Sequence, residues 1–531
     1  MPIASTRTIT LQGATGHLVH VQVDVSQGMV ATQLVGRADP AISEGRDRCR
    51  TAVSNSGYGW PSTRRVTILL SPADLPKRGS HFDLAIAVGV ICASDERMFK
   101  ADLEDAVFIG ELTLDGRLRP VTGVLPMVMT ARSRGISRVF VPETQAAEAS
   151  LVPDVSVLGV RSLAQVVALV AGWEVPESPP IEASSATSFL QWRGDDRLDE
   201  VDLADLRGME DARFALEVAA AGGHHLMLSG PKGSGKTSLA ERLPGILPNL
   251  SVEEALEVTA VRSLAGQVDA AEGLVRRPPF FAPHHSATRA SLLGGGTGWV
   301  RPGELSSAHC GVMLLDEFPL FNSDILEALR QPLESGEITI SRGEETATFP
   351  ARGMFVLACN PCPCGNYSSD PRVSRCDCAE PQRRRYRSRI SGPITDRIDI
   401  VRHVEPIRRP RVDLPFERPE ASADVRRRVA AARTRQAERF GGASWRLNAH
   451  APGPALSEHW PLEPSAAEAV ADAIYDGELT QRGATRVHRL AWTVADLRGT
   501  AQPGAGEVAT ALALRTGAPL GADLLLGRSA R

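Results

Sequence analysis

The chain has 531 residues, 43% of them apolar and 23% charged, with a formal net charge of −4. That length exceeds one hydrophobic core and sets an expectation of two to four domains. No run approaches ~18 uninterrupted apolar residues, the first seven residues form no apolar signal core, and the eight cysteines are scattered, so the expectation is a cytoplasmic protein without membrane contact or a disulfide framework.

Residues 1–172 alternate β-like runs, Leu18 to Val25 and Arg65 to Leu70, with helical ones such as Asp83 to Val88. They read as a mixed α/β domain. The Pro/Ser-rich stretch from Val175 to Ser188 marks a linker, placed at 173–199. From 200 to 405 the pattern is that of a nucleotide-binding domain. Residues 406–531, rich in Ala, Arg and Leu at helical spacing, read as all-α.

In the second block the apolar run from His225 to Ser229 reads as a buried strand. It leads into Gly230-Pro231-Lys232-Gly233-Ser234-Gly235-Lys236-Thr237, followed by Ser238 and an amphipathic helix. Every fixed position of the phosphate-loop pattern G-x-x-x-x-G-K-[ST] is filled, in the strand–loop–helix context it needs. Glycines let backbone N–H groups turn toward phosphate oxygens, and the helix N-terminus adds favourable dipole charge. Lys236 is the expected partner of the β- and γ-phosphates, and Thr237 of Mg²⁺. Only four lysines occur, Lys77, Lys100, Lys232 and Lys236, which makes a lysine at that position the more telling.

About 80 residues on, the apolar run Gly311 to Leu315 ends in Asp316-Glu317. Asp316 is expected to complete the Mg²⁺ shell with Thr237, and Glu317 to act as general base on the attacking water. A third apolar run, Gly353 to Cys359, ends in Asn360. Its amide is expected to sense the γ-phosphate or hold the lytic water; a turn-forming Asn before Pro361 is the plainer alternative. Next come Cys362-x-Cys364 and Cys376-x-Cys378, either a tetrahedral Zn²⁺ site or four reduced cysteines without a joint role. Arg383 to Arg389 form a basic run with Tyr386 inside it, suited to DNA phosphates or to a solvated or subunit-facing surface.

The runs Leu206 to Arg213, Ala220 to His225 and the phosphate loop resemble the magnesium-chelatase-like branch of AAA+ ATPases. Pro283-His284-His285-Ser286-Ala287-Thr288, Arg301 to Ser306, Asn360 to Gly365 and Tyr386 to Pro393 resemble, more narrowly, the ComM/YifB family. The similarity spans nearly the whole chain. It implies an N-terminal Lon-protease-like α+β domain, a central AAA+ domain with a parallel sheet between helices, and a C-terminal helical lid. It also implies a hexameric ATPase using ATP and Mg²⁺, acting as a helicase or branch-migration factor on single-stranded or branched DNA. A chelatase motor subunit and a chaperone-like protein remodeller are the other readings.

By that resemblance Arg397 is the arginine finger that reaches a neighbouring subunit's γ-phosphate. Arg482 is the lid arginine that contacts nucleotide in its own subunit, with Arg486 and Arg489 as competitors. Residues 280–305 correspond to a helix-2 insert facing the ring pore. The alternation from Gly336 to Phe349 around Arg342-Gly343 reads as a β-hairpin, and the resemblance sends that hairpin into the pore. The adjacent His284 and His285 are not taken as a metal site, because neighbouring side chains point in different directions.

Pro76 to Ile86 and Gly110 to Leu118 resemble the proteolytic domain of Lon, whose serine nucleophile is activated by a lysine. Here His81 falls at the serine position, with Ser80 one residue off, and Leu125 falls at the lysine position. No peptidase activity is expected.

Overall fold

A computed structural model describes residues 3–95, 103–181, 200–268, 273–296, 300–342, 345–367, 374–389, 392–405 and 420–521. Most of the expected linker (182–199) lies outside them, as do Lys100, Trp299, Gly343 and Glu344.

The N-terminal region begins with β1 (Ala4–Gln12), β2 (Thr15–Ser26), β3 (Ala31–Val35), α1 (Pro40–Asn55), β4 (Arg65–Ser71) and α2 (Phe82–Ser94). Alternate residues of β2 and β4, among them Val19, Val21, Val23, Val66, Ile68 and Leu70, are buried. The sheet order is β1-β2-β4-β3, with only β3 and β4 running parallel. Behind it lie β5 (Ala106–Phe108), α3 (Val124–Ser133), β6 (Arg138–Pro142), α4 (Ala146–Ala149), β7 (Ser156–Val160) and α5 (Leu163–Ala171). The strands β5-β6-β7 form a parallel sheet. Every residue of α2 from Phe82 to Cys92 is buried, because the helix packs against β1 and β2 as well as α1 and α5. An all-round apolar helix is what such a sandwiched position demands.

In the central region α6 (Glu210–Gly222) precedes β8 (Leu226–Ser229), α7 (Lys236–Glu241) and α8 (Val252–Ala265). Then follow β9 (Phe280–Phe281), α9 (Arg289–Leu293), a small pair β10 (Gly294–Gly295) and β11 (Arg301–Pro302), α10 (Glu304–Ser307) and β12 (Val312–Leu315). After α11 (Arg330–Ser335) come the hairpin β13 (Glu337–Arg342) and β14 (Glu345–Pro350), β15 (Met354–Cys359), α12 (Glu380–Ser388) and β16 (Ile400–His403). The main sheet is β9-β12-β15-β8-β16, parallel throughout. Its strands are apolar runs because helices cover both faces. Phe280 and Phe281 pair with Val312 and Met313 as the edge strand of this sheet. Residues 280–305 are therefore not insert throughout: the segment starts inside the core, and the β10–β11 pair lies between the short helices α9 and α10.

The C-terminal helices α13 (Ser422–Arg439), α14 (Pro464–Tyr475), α15 (Gln481–Arg498) and α16 (Ala505–Thr516) are continuous with that core. Val429, Val487, Leu490 and Val508 share one buried cluster with Leu226, Leu228 and Val356. The fold is thus α/β, with parallel strands between helices and an all-helical C-terminal region.

The N-terminal region is joined to the central one by apolar packing. Ile9, Leu11, Val124, Leu125 and Val128 form a single cluster with Leu256, Ala260 and Leu264 of α8 and with Ala347 and Phe349 of β14. The α8 residues recur at i, i+4 and i+8, one helical stripe. A capping box starts that helix: Ser251 N–H donates to Glu254 at 2.9 Å and Glu254 N–H to the Ser251 hydroxyl at 3.2 Å. Across the seam the Ser263 hydroxyl donates to the buried Glu148 carboxylate at 2.5 Å. The β1–β2 turn touches the hairpin too, Ala14 N–H donating to the Thr348 carbonyl at 3.1 Å.

Candidate nucleotide site

Strand register places the motif residues side by side. Ser229 pairs with Cys359, so Gly230 and Asn360 leave β8 and β15 together, while Leu315 pairs with Leu357 and Asp316 leaves one strand further over. Loops at the carboxyl edge of a parallel sheet are where such folds gather ligand-binding groups.

The phosphate loop turns through left-handed glycines, Gly233 at φ +77° and Gly235 at φ +88°, conformations that side-chain-bearing residues rarely adopt. The Lys236 ammonium donates to the Gly230 and Pro231 carbonyls at 2.8 and 2.9 Å and to the Asn360 amide oxygen at 3.1 Å. Burial lowers its pKa, opposed by the charge of Asp316. The Thr237 hydroxyl donates to Asp316 Oδ2 at 2.7 Å, and the other oxygen of Asp316 accepts the Glu317 N–H at 2.8 Å.

Glu317 itself sits at φ +50°, a left-handed conformation that is uncommon without glycine and clusters at functional sites. Its side chain is about half exposed, and Oε2 lies 3.5 Å from His285 Nδ1. The His285 ring lies against that of His284, tilted by 37° with ring centroids 4.1 Å apart. A cleft of about 730 Å³ opens beside this pair, lined by His285, Thr288, Arg289, Phe321, Asp324 and Arg389. His285 is the site neighbour that sequence reasoning missed; it stood in a motif already singled out, Pro283 to Thr288, but without a role.

Thr237 and Asp316 suit Mg²⁺: both offer hard oxygen donors, on adjoining elements, already at contact distance. The two arginines that the family resemblance singled out have the following surroundings. Arg397 Nε donates to Glu334 of α11 at 3.0 Å, and its side chain is 14% exposed. Arg482, on the first turn of α15, is exposed. Its two competitors are spoken for: Arg486 binds the Asp396 carbonyl at 2.7 Å and pairs with Asp399, and Arg489 donates to the Ala451 carbonyl at 2.9 Å. The buried Asp399 carboxyl is held well below the usual range by Arg486 and His224, against the opposing effect of burial.

A model of the magnesium chelatase subunit ChlI matches residues 202–412, one of ChlI matches 21–145, and one of the ChlI C-terminal part matches 419–515. The chain is 44% identical to an uncharacterised protein of Mycobacterium tuberculosis over 98% of its length and all of that protein. It is 38% identical to competence protein ComM of Haemophilus influenzae, covering 97% of this chain and 98% of that one. With YifB of Escherichia coli it shares 37% identity over 94% of each. This chain belongs to the ComM/YifB family. A shorter likeness, 25% identity over 34% of this chain and 23% of the other, is to Lon protease of Mycolicibacterium smegmatis. As a ComM/YifB member it is a magnesium-chelatase-like AAA+ protein, and among its described residues no helix is long and apolar enough to cross a membrane.

In this ComM/YifB chain the basic run is partly neutralised. Arg383 and Arg384 pair with Glu380, and the Arg383 and Arg387 guanidinium groups lie 4.7 and 4.9 Å from the Tyr367 ring centroid. Arg385 and Arg342 are exposed. In the Lon-like region the Ser80 hydroxyl donates to Glu111, the Lys77 ammonium donates to the Pro72 carbonyl, and Leu125 is fully buried.

Proposed function

We propose that this protein is an ATP-driven motor that works on branched or single-stranded DNA as a homo-oligomeric ring, a hexamer in keeping with its family. The observation that carries the proposal is the meeting of Lys236, Thr237, Asp316, Glu317 and Asn360 at one sheet edge, with distances of 2.7 Å from Thr237 to Asp316 and 3.1 Å from Lys236 to Asn360. Incoming phosphate oxygens would take over the ammonium now shared by two carbonyls and Asn360, and the amide would then report on the γ-phosphate. Glu317 orients and deprotonates the attacking water, with His285 beside it to fix the carboxylate. Mg²⁺, held by Thr237 and Asp316, supplies charge neutralisation across the β- and γ-phosphates. Arg397 would be drawn to a neighbour's nucleotide, and Arg482 to that of its own subunit. DNA contact is assigned to the exposed Arg342 and Arg385, on the hairpin and on α12.

The test is ATP turnover by the full chain with forked DNA, with porphyrin plus partner subunits, or with unfolded protein. The expected result is stimulation by forked DNA together with strand displacement. Lys236→Ala and Glu317→Gln should each reduce turnover by about 10²–10³-fold. Stimulation by either of the other two additions, without strand displacement, would transfer the chain to a chelatase or remodeller role.

A further inference from the structure

The segment between β15 and α12 runs from Asn360 to Ala379 and holds neither helix nor strand among its described residues. Chain without helix or strand needs a pin if it is to hold one shape. Within it four sulfurs converge. Cys362 Sγ lies 3.3 Å from Cys364 Sγ, Cys376 Sγ lies 3.6 Å from both, and all four including Cys378 fall within 4.8 Å of one another. None is in a disulfide. Thiolates around one tetrahedral Zn²⁺, at Zn–S of about 2.3 Å, stand about 3.8 Å apart. The observed spread leaves room for a single ion and is too tight to enclose an iron–sulfur cluster. All four donors are soft thiolates, the set that selects Zn²⁺ over hard cations. A second grouping, Glu257, His309 and Cys310, lacks that character, since Arg352 already pairs with the Glu257 carboxylate.

The same turn is laid against the phosphate loop. Lys232 N–H donates to the Gly365 carbonyl at 3.0 Å, and Gly365 N–H to the Cys362 carbonyl at 3.0 Å. Gly365 has φ +78°, and a Cβ there would come within 3.1 Å of Lys232 Cβ and 3.7 Å of Asn360 Cγ. On the other side, α12 starts two residues after Cys378 and buries Tyr386. Sensor residue, phosphate loop and α12 are therefore all tied to the four-cysteine turn.

We infer that Cys362, Cys364, Cys376 and Cys378 bind one Zn²⁺ as a tetrathiolate, and that this ion positions Asn360 and the phosphate loop for nucleotide. The second half rests on the ATPase reading; the first does not. Binding is a proton exchange without redox: Zn²⁺ replaces the four thiol protons, which leave to solvent. The cysteines are positioning residues, because none touches the site of phosphate transfer.

Zinc is measured by mass spectrometry on the full chain, purified without chelator from cells grown with added Zn²⁺, and Co²⁺ is then added to chelator-stripped protein. About one zinc per chain is expected, with the visible bands of tetrahedral thiolate-bound Co²⁺ in the replacement experiment. Protein without stoichiometric zinc and without those bands overturns the metal site. Stripping the metal, or the double change Cys376→Ser and Cys378→Ser, should lower affinity for a fluorescent ATP analogue about tenfold. Gly365→Ala should keep the zinc yet lower that affinity as well. If stripped protein and Gly365→Ala bind and hydrolyse ATP like wild type, the positioning role falls while the zinc count stands. Should zinc-loaded wild type hydrolyse no ATP at all, the motor reading fails independently of the metal. Stripped wild type and Gly365→Ala decide the matter even where the double variant does not fold.

Discussion

Two α/β regions of this molecule treat their polar residues in opposite ways. In the central sheet the strand ends bring out Lys236, Thr237, Asp316, Glu317 and Asn360, and the side chains bond one another across elements. In the N-terminal region the residues at the Lon-type positions are engaged within the fold: Leu125 is fully buried, His81 is buried with Nε2 2.7 Å from the Ile9 carbonyl, and Ser80 is engaged by Glu111. A fold thus supplies positions, and only the residues at those positions decide whether a reaction is available. The N-terminal region instead spends its surface on contact, through the apolar cluster with α8 and β14. Because β14 belongs to the hairpin that precedes β15, that region is joined to the element proposed to reach DNA.

The comparison is tested most severely at Arg397. If the central site is completed only by a neighbour, Arg397→Ala should cut turnover by about 10³-fold while nucleotide still binds. Mixing Arg397→Ala with Lys236→Ala subunits should restore part of the rate, since each supplies what the other lacks. No recovery on mixing would mean the arginine acts within its own subunit. Glu334→Gln separates the alternatives, because it removes the Arg397 ion pair and leaves the arginine in place.

A smaller effect marks the N-terminal region as a packed core. Burial pushes the His81 pKa down to about 4. The folded chain keeps this ring neutral, while the unfolded chain protonates it near its ordinary value of 6.5. The unfolded state therefore binds more protons between those values, so the contribution is complete above about pH 6.5 and is lost as pH falls toward about 4. It amounts to roughly 3 kcal/mol. Denaturant unfolding of wild type and His81→Gln at pH 7 and pH 5 should show the variant losing less stability on acidification; parallel losses would assign the acid sensitivity elsewhere.

How much of this was legible in the chain divides along the same line. Phosphate loop, Asp316-Glu317 and Asn360 are each spelled by a local run, an apolar strand followed by polar residues, so neighbouring letters sufficed to place them at strand ends. The strands over Leu18 to Val25 and Arg65 to Leu70 were readable for the same reason, as was the helical C-terminal block. What escaped depends on pairs distant in sequence: His285 against Glu317, Arg397 against Glu334, Glu148 against Ser263. Phe280–Phe281 escaped differently, being too short for its period to register as a strand of the main sheet. The seam itself had no sequence signature, because the stripe of α8 that meets the N-terminal region reads like any core-facing stripe.

The seam is also held by a polar contact. The Ser263 hydroxyl satisfies a Glu148 carboxyl whose pKa burial has raised. Ser263→Ala leaves a buried acceptor short of a partner and should cost about 1–3 kcal/mol, seen as earlier proteolysis between the two regions. Glu148→Ala combined with Ser263→Ala should cost less than the two single changes summed, as expected of a contacting pair.

The smallest expected effect is none, at Ser80. A Lon-type nucleophile must give its proton to an amine base, yet the only lysine described in the N-terminal region, Lys77, bonds the Pro72 carbonyl, and the Ser80 proton goes to Glu111. That carboxylate is 26% exposed and 4.0 Å from Arg119, and Leu125 offers no amine at the lysine position. Labelled casein incubated with the full chain and ATP should therefore release peptides only at background, and Ser80→Ala should leave that background unchanged. Peptide release abolished by Ser80→Ala would erase the contrast between the two regions, since it would give the N-terminal one a working site of its own.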